Sequence, residues 1–143
     1  MSKNIWKVSN TTVTTASPQA IWQRWSSVEK WPEEDTNLEW AKLAGGFSVG
    51  SIITMKPKSS PKSKVKIIEA TPNISFTTQG NIPFGKLVVE HRILQNQAGK
   101  TTFKHTISLS GPMRIIFVRM FAQNLANNLP AKMQNIAKLA EIQ

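Results

Sequence analysis

The last third of the chain constrains the fold most tightly. Two segments with period-two alternation, 84–96 and 100–110, end at Ser110-Gly111-Pro112, and a helical pattern then runs almost to the C-terminus. Phe117, Phe121, Leu125, Leu129, Met133, Ile136 and Ala140 recur at three- and four-residue steps, one apolar face of a helix long enough to lie across a whole sheet. A helix of this kind laid on a curved antiparallel sheet encloses a cavity more naturally than it fills a solid core. Pro130 lacks an amide hydrogen, which predicts a kink near Ala126-Asn127.

Upstream, Ile5 to Thr15 is rich in Val and Thr and reads as a strand. Ser17 can cap and Pro18 suits the first position of a short helix with Ile21, Trp22 and Trp25 on its apolar side. That helix breaks near Ser26-Ser27, and a second helical turn, Val28 to Trp31, ends at Pro32. Four more strands follow, at 38–44, 50–57, 63–71 and 73–79, separated by Gly45-Gly46, Pro61 and Thr71-Pro72-Asn73. The connections are short, so neighbouring strands should pair antiparallel.

Alternation assigns faces. Leu87, Val89, His91 and Ile93 share one face of their strand, and Phe103, His105, Ile107 and Leu109 share one face of the next. Val65, Ile67 and Glu69, with Ile74, Phe76 and Thr78, form a similar inner set on the preceding hairpin. One apolar and one polar face describe a sheet wetted on one side.

The 143 residues suffice for one domain, 1–143, with 40% apolar residues and no cysteine. Disulfides, thiolate metal sites and a cysteine nucleophile are therefore excluded. The first residues lack the apolar run of a signal peptide, and no stretch approaches the ~20 apolar residues that span a bilayer. A cytoplasmic location is the expectation. The formal charge of +10 is uneven. Lys56, Lys58, Lys62, Lys64 and Lys66 fall within one hairpin, and Glu29, Glu33, Glu34, Asp35 and Glu39 cluster upstream. Without interleaved aromatics or arginines, the lysines read as a solvated hairpin rather than a specific nucleic-acid site. Weak contact with anionic surfaces stays open, as it does for Arg114 and Arg119, set among Ile115, Ile116, Phe117 and Val118.

The order strand, two short helices, six strands, long helix is the helix-grip arrangement. With Thr15-Ala16-Ser17-Pro18-Gln19-Ala20-Ile21-Trp22, Trp31-Pro32, Phe47-Ser48-Val49-Gly50-Ser51 and Glu69-Ala70-Thr71-Pro72, the chain resembles the START-like superfamily over residues 5 to 142. Within it, the polyketide cyclase/dehydrase and lipid-transport branch, which includes relatives of the birch-pollen allergen, is the most similar. The resemblance implies an α+β fold in which a seven-stranded curved antiparallel sheet wraps the C-terminal helix around a deep cavity for hydrophobic or amphipathic molecules. Its members include lipid carriers, hormone binders, aromatase/cyclases and co-chaperones, so the fold does not select an activity.

His91 and His105 are the sharpest candidates. A three-residue turn, Gln97-Ala98-Gly99, sets them directly opposite each other on the cavity face, with Cβ atoms roughly 5 Å apart. Four readings are compatible: rings satisfied by each other, a hydroxyl or water; polar contact with a ligand; acid–base catalysis of a cyclisation or dehydration; and, with Glu69, a metal site. Glu69 can equally curl out to solvent. Phe76, Val89, Phe103, Ile107, Phe117 and Phe121 are the expected pocket lining, Trp40 a pocket wall, and Asn124 and Asn128 amides on the cavity side of the long helix. No phosphate loop, Ser-His-Asp set or metal-ligand spacing is present.

The reading that results is a binding protein or carrier for a small hydrophobic molecule, such as a lipid, isoprenoid or aromatic polyketide, with no cofactor and no metal. The alternatives are a cyclase or dehydratase using the cavity histidines, and a basic module for proteins or anionic surfaces. Oligomeric state is not legible.

Overall fold

A computed structural model describes residues 5–142. Strand β1 (Ile5–Thr14) leads into α1 (Pro18–Ser26) and a 3₁₀ segment (Val28–Glu33). Six strands follow: β2 (Leu38–Ala44), β3 (Ile52–Pro57), β4 (Ser63–Thr71), β5 (Ser75–Ile82), β6 (Gly85–Gln97) and β7 (Lys100–Ser110). The chain ends in a composite helix of α2 (Arg114–Phe117), a π segment (Val118–Ala122) and α3 (Gln123–Glu141). All neighbours pair antiparallel in the order β1-β7-β6-β5-β4-β3-β2. This is the seven-stranded sheet, two short helices and long terminal helix expected from the sequence.

Local chemistry sets the element ends. Ser17 Oγ accepts from the Ala20 amide 3.1 Å away, and Pro18 occupies the first turn of α1. The Trp31 indole N–H donates to the Trp25 carbonyl at 3.1 Å, tying the 3₁₀ segment to α1. The β6–β7 turn is Ala98-Gly99, both in left-handed conformation (φ 56° and 75°), the geometry of a two-residue hairpin turn.

Three bulges interrupt the sheet, at Glu39, Ile68 and Leu94, where pairing registers shift between Leu38 and Trp40, Ile67 and Glu69, and Ile93 and Gln95. Each adds one residue to one strand, bends it, and exchanges the two faces beyond it. The concave face therefore carries cross-strand rows. One runs Val65, Gly80, Leu87, Leu109, Trp6; the next Ile67, Thr78, Val89, Ile107, Val8; the third Ala70, Phe76, His91, His105, Asn10.

The composite helix departs from expectation. The α3 helix runs past Pro130, which has no N–H to give the Ala126 carbonyl, and an unexpected π segment ends eight residues before it. A π turn holds one residue more than an α turn and is a local bulge in a helix. Of the expected apolar stripe, Leu129, Met133, Ile136 and Ala140 are buried, Phe117 and Phe121 are half-buried and Leu125 is exposed, Ala122 being the buried residue of the π segment; Asn124 is exposed.

Candidate functional site

The concave face has two unlike ends. At one end Trp25 of α1 sits over the third row, within a cluster formed with Phe76, His91, Phe103 and His105. Phe76 and His91 are stacked, centroids 3.8 Å apart and planes 8° from parallel. Trp22 and Phe47 extend the cluster by edge contacts to Phe76. The far half of α3 closes this end with Leu129, Met133, Ile136, Ala137 and Ala140, all buried.

The two imidazoles are directly opposed in the register, ring centroids 4.4 Å apart, and are 6% and 1% exposed for His91 and His105. Their tautomers follow from their partners. The Trp25 indole N–H donates to Nε2 of His105 at 3.2 Å, so that nitrogen carries no proton and the ring is neutral. Nδ1 of His91 lies 3.2 Å from the Phe76 carbonyl, which can only accept, so Nδ1 carries the proton. Burial pulls His91 down to about 3, assisted by Lys132 and opposed by the bond to Phe76. Burial, then His91 and Lys132, hold His105 well below the ordinary histidine value.

At the other end the same face is apolar and only partly covered. Val8 and Trp6 on β1, Leu87 and Val89 on β6 and Val65 on β4 are half-buried. Above them, α2 buries no side chain, and Phe117 and Phe121 are half-buried, in contact with each other at 6.0 Å. Leu125 is 42% exposed. The helix thus seals the sheet along α3 and covers it less fully toward α2, although Ala122 of the π segment is itself wholly buried. Two open depressions, of about 430 and about 410 Å³, lie outside the sheet along α1, lined by Arg24, Lys30 and Leu139 and by Gln19, Trp22 and Asn73 respectively.

The expected site residues divide accordingly. Val89, Phe117 and Phe121 are half-buried at the less covered end, and Ile107 beside Val89 is buried. His91, His105, Phe76 and Phe103 sit in the aromatic cluster at the closed end, where Phe76 and Phe103 are wholly buried. Trp40 is not a pocket wall: the bulge at Glu39 turns it to the outer face, under the Lys42 ammonium at 5.3 Å and opposite Lys56. Asn124 is not on the cavity side either. It is exposed with Gln123, Asn127 and Asn128, because the π segment advances the helix by one residue.

Glu69 also changes sides. The bulge at Ile68 pairs it with Thr77 on the outer face, where its carboxylate accepts from Ser75 (2.7 Å), Thr71 (2.8 Å) and Thr77 (3.1 Å). Burial raises this carboxyl, but the three hydroxyls outweigh it and hold it below the usual carboxylate value. It therefore cannot complete a metal or acid–base set with the histidines, and no group of three metal-ligating side chains occurs among the described residues. The sequence reading missed Trp25 as the histidine partner; its indole N–H, buried and needing an acceptor, was the available signal. It did not single out Trp6, Val8 and Leu87, which the register places on the same concave face as Val89 and Ile107, although their alternation was visible.

No protein-family model and no curated protein sequence matches the chain. Solved structures do. Norcoclaurine synthase from Thalictrum flavum superposes with TM-score 0.75 over 97% of this chain and 88% of its own, at 17% identity. The di-domain aromatase/cyclase StfQ of the steffimycin biosynthetic pathway gives TM-score 0.78 at 8% identity, over 96% of this chain and 51% of its own. A START superfamily protein from Mycobacterium smegmatis gives 0.71 at 13%, over 92% and 97%. At these identities the likeness is one of fold.

Proposed function

The chain has the START-like helix-grip fold, and on that premise we propose that it binds a small hydrophobic or amphipathic organic molecule in a hollow beneath α2 and the π segment. The observation that carries this reading is the burial gradient along one continuous apolar face. The rows are buried under α3, whereas toward Phe117 and Phe121 Trp6, Val8, Val65, Leu87 and Val89 are only half-buried, with Ile67, Ile107 and Leu109 of the same rows buried between them. Apolar surface left open to water on a concave wall is where a ligand gains about 25 cal/mol per Å² removed from water. Val89, Ile107 and Leu87 form the floor, and Phe117 and Phe121 the roof.

In this reading His91 supplies the one polar contact at the inner end. Its Nδ1 proton is committed to Phe76, which leaves Nε2 as a neutral acceptor for a ligand hydroxyl or amine. His105 serves as scaffold, its Nε2 occupied by Trp25. A ligand class that fits is a mostly apolar molecule with one hydrogen-bond donor. Norcoclaurine synthase, which shares the fold, has been solved in complex with dopamine and hydroxybenzaldehyde, both small aromatic molecules.

Titration with the neutral fluorescent probe N-phenyl-1-naphthylamine tests the proposal. Saturable one-to-one uptake that is lost in Val89→Trp, a variant that fills the hollow, is the expected result. Uptake that is absent, or unaffected by Val89→Trp, contradicts it.

A further inference from the structure

The mouth of the hollow carries an arrangement that ligand binding does not require. Pro83-Phe84 forms the β5–β6 turn between paired Ile82 and Gly85, and Phe84 has φ +62°, a left-handed position at which glycine is the favoured residue. Phe84 is nonetheless 80% exposed. A strained backbone that presents a bare aromatic ring to water asks for a functional explanation. The turn is held from behind by its tight fit to the end of β7. A Cβ on Gly85 would come within 1.9 Å of the Ser110 carbonyl oxygen, and one on Gly111 within 2.5 Å of that of Phe84.

Immediately after Gly111 the composite helix presents Ile115, Ile116, Arg119 and Met120 outward, Met120 being 67% exposed. The face they form turns polar one turn later, at Gln123, Asn124, Asn127 and Asn128. The apolar stretch is thus confined to the end that adjoins Phe84. The register places the β3–β4 loop at the same end of the sheet, because Ser63 follows it and Lys66 pairs with Gln79 near Ile82. That loop contributes exposed Lys58 and Lys62, the start of β4 adds exposed Lys64, and Lys86 adjoins the Phe84 turn. No acidic residue occurs from His91 to Ala140 or within these tips; the acidic group at this end is Glu39, at the outer edge of the sheet, where it pairs with Lys56 at 3.7 Å.

We propose that this rim docks on an anionic lipid bilayer, with Phe84, Ile116 and Met120 entering the headgroup–acyl boundary and the lysines meeting the lipid phosphates and carboxylates. Exposed apolar groups ringed by cations, at one end of a molecule with net charge +10, match the two attractions that hold peripheral proteins on anionic membranes. A nucleic acid would satisfy the lysines and leave the apolar tip wet. The proposal does not depend on what occupies the hollow.

Flotation of the full chain with phosphatidylcholine vesicles, with and without phosphatidylserine, tests it, using wild type, Phe84→Gly and Lys62→Ala/Lys64→Ala. Binding is expected only with phosphatidylserine and should weaken with salt. Phe84→Gly should lower the partition coefficient by roughly tenfold, the effect of withdrawing one large side chain from an apolar phase. The double lysine variant should lower it by a similar factor or more. Phe84→Gly should melt no lower than wild type, since glycine suits that turn, and should take up naphthylamine probe unchanged. Equal flotation with both vesicle types overturns the proposal. So does Phe84→Gly that floats like wild type, or whose loss of flotation tracks a lowered melting temperature. Concentration-dependent dimerisation abolished by Phe84→Gly, without flotation, would make a second copy of the chain the partner instead.

Discussion

The indole N–H of Trp25 donates to Nε2 of His105, joining α1 to the middle of the sheet through a buried bond of 3.2 Å. Because the indole nitrogen only donates, the bond exists only while His105 is neutral. Trp25→Phe keeps the ring in the cluster and removes the donor, leaving a buried acceptor without its partner. We predict a loss of roughly 1–3 kcal/mol in denaturant unfolding, and an NMR-titrated His105 that protonates at higher pH than in wild type. Unchanged stability and titration would show that the bond does no work.

Both histidines stay neutral in the fold to well below 6.5, His91 to about 3, whereas in the unfolded chain they protonate near 6.5. Their contribution to stability is therefore complete above 6.5 and declines as pH falls below it. Each group contributes a slope of about 1.4 kcal/mol per pH unit while only the unfolded chain is protonated. His105→Gln, which preserves an acceptor for Trp25, should flatten the acid limb of the stability profile. An acid limb as steep as that of wild type would contradict this assignment.

Glu34 works in the opposite sense. It is buried against Arg24, whose Nε and Nη2 reach its Oε1 at 3.1 and 3.0 Å, and its backbone carbonyl accepts from Asn135 at 3.0 Å. Burial pushes this carboxyl from 4.5 up to about 7, against the pull of Lys132 and Arg24. Its contribution to stability is complete below 4.5 and is lost as pH rises through about 7. Glu34→Gln should remove that decline while lowering stability overall, because Arg24 keeps only the more exposed Glu33 at 3.1 Å as its anion. Stability of Glu34→Gln measured across this window checks the sign: a decline as steep as that of wild type would assign it elsewhere.

Much of this architecture was legible because period-two alternation and turn residues report strand existence directly. The expected bounds of β2, β4 and β7 are those observed. The bulges were not legible, since nothing in Glu39, Ile68 or Leu94 announces an extra residue. Trp40 and Glu69 were placed on the wrong face for that reason. The histidine pairing shows the same blindness cancelling out: the turn has two residues rather than three, and the bulge at Leu94 restores the missing one. Along the terminal helix the apolar stripe was readable, but the π segment that turns Asn124 outward has no proline or glycine to mark it. Pro130, which does carry such a mark, sits in continuous helix.

The expected lining ran from the histidines to Phe117 and Phe121, and its less covered part, which the proposal takes as the hollow, lies one and two rows away from the histidines. Sequence alternation says which residues share a face, not how closely an opposing helix approaches them. Here bulky Trp25 and Phe76 fill one end, and the helix seals there on Met133 and Ile136. The same rigid helix then covers the other end less fully. A substitution that thickens the roof, Phe121→Ala being the reverse case, should alter probe affinity without touching the histidine cluster. We predict weaker naphthylamine binding by Phe121→Ala, by several-fold, with the pH profile of stability unchanged. Affinity equal to wild type would remove Phe121 from the roof.

The most direct measurement is a two-dimensional NMR titration of the isotope-labelled protein with N-phenyl-1-naphthylamine. The account predicts saturable one-to-one shifts concentrated on Val8, Leu87, Val89, Ile107, Phe117 and Phe121, with a smaller response at His91 and none along the outer side of α1. Shifts that fail to saturate, or that map to the α1 depressions while the concave rows stay silent, would contradict it.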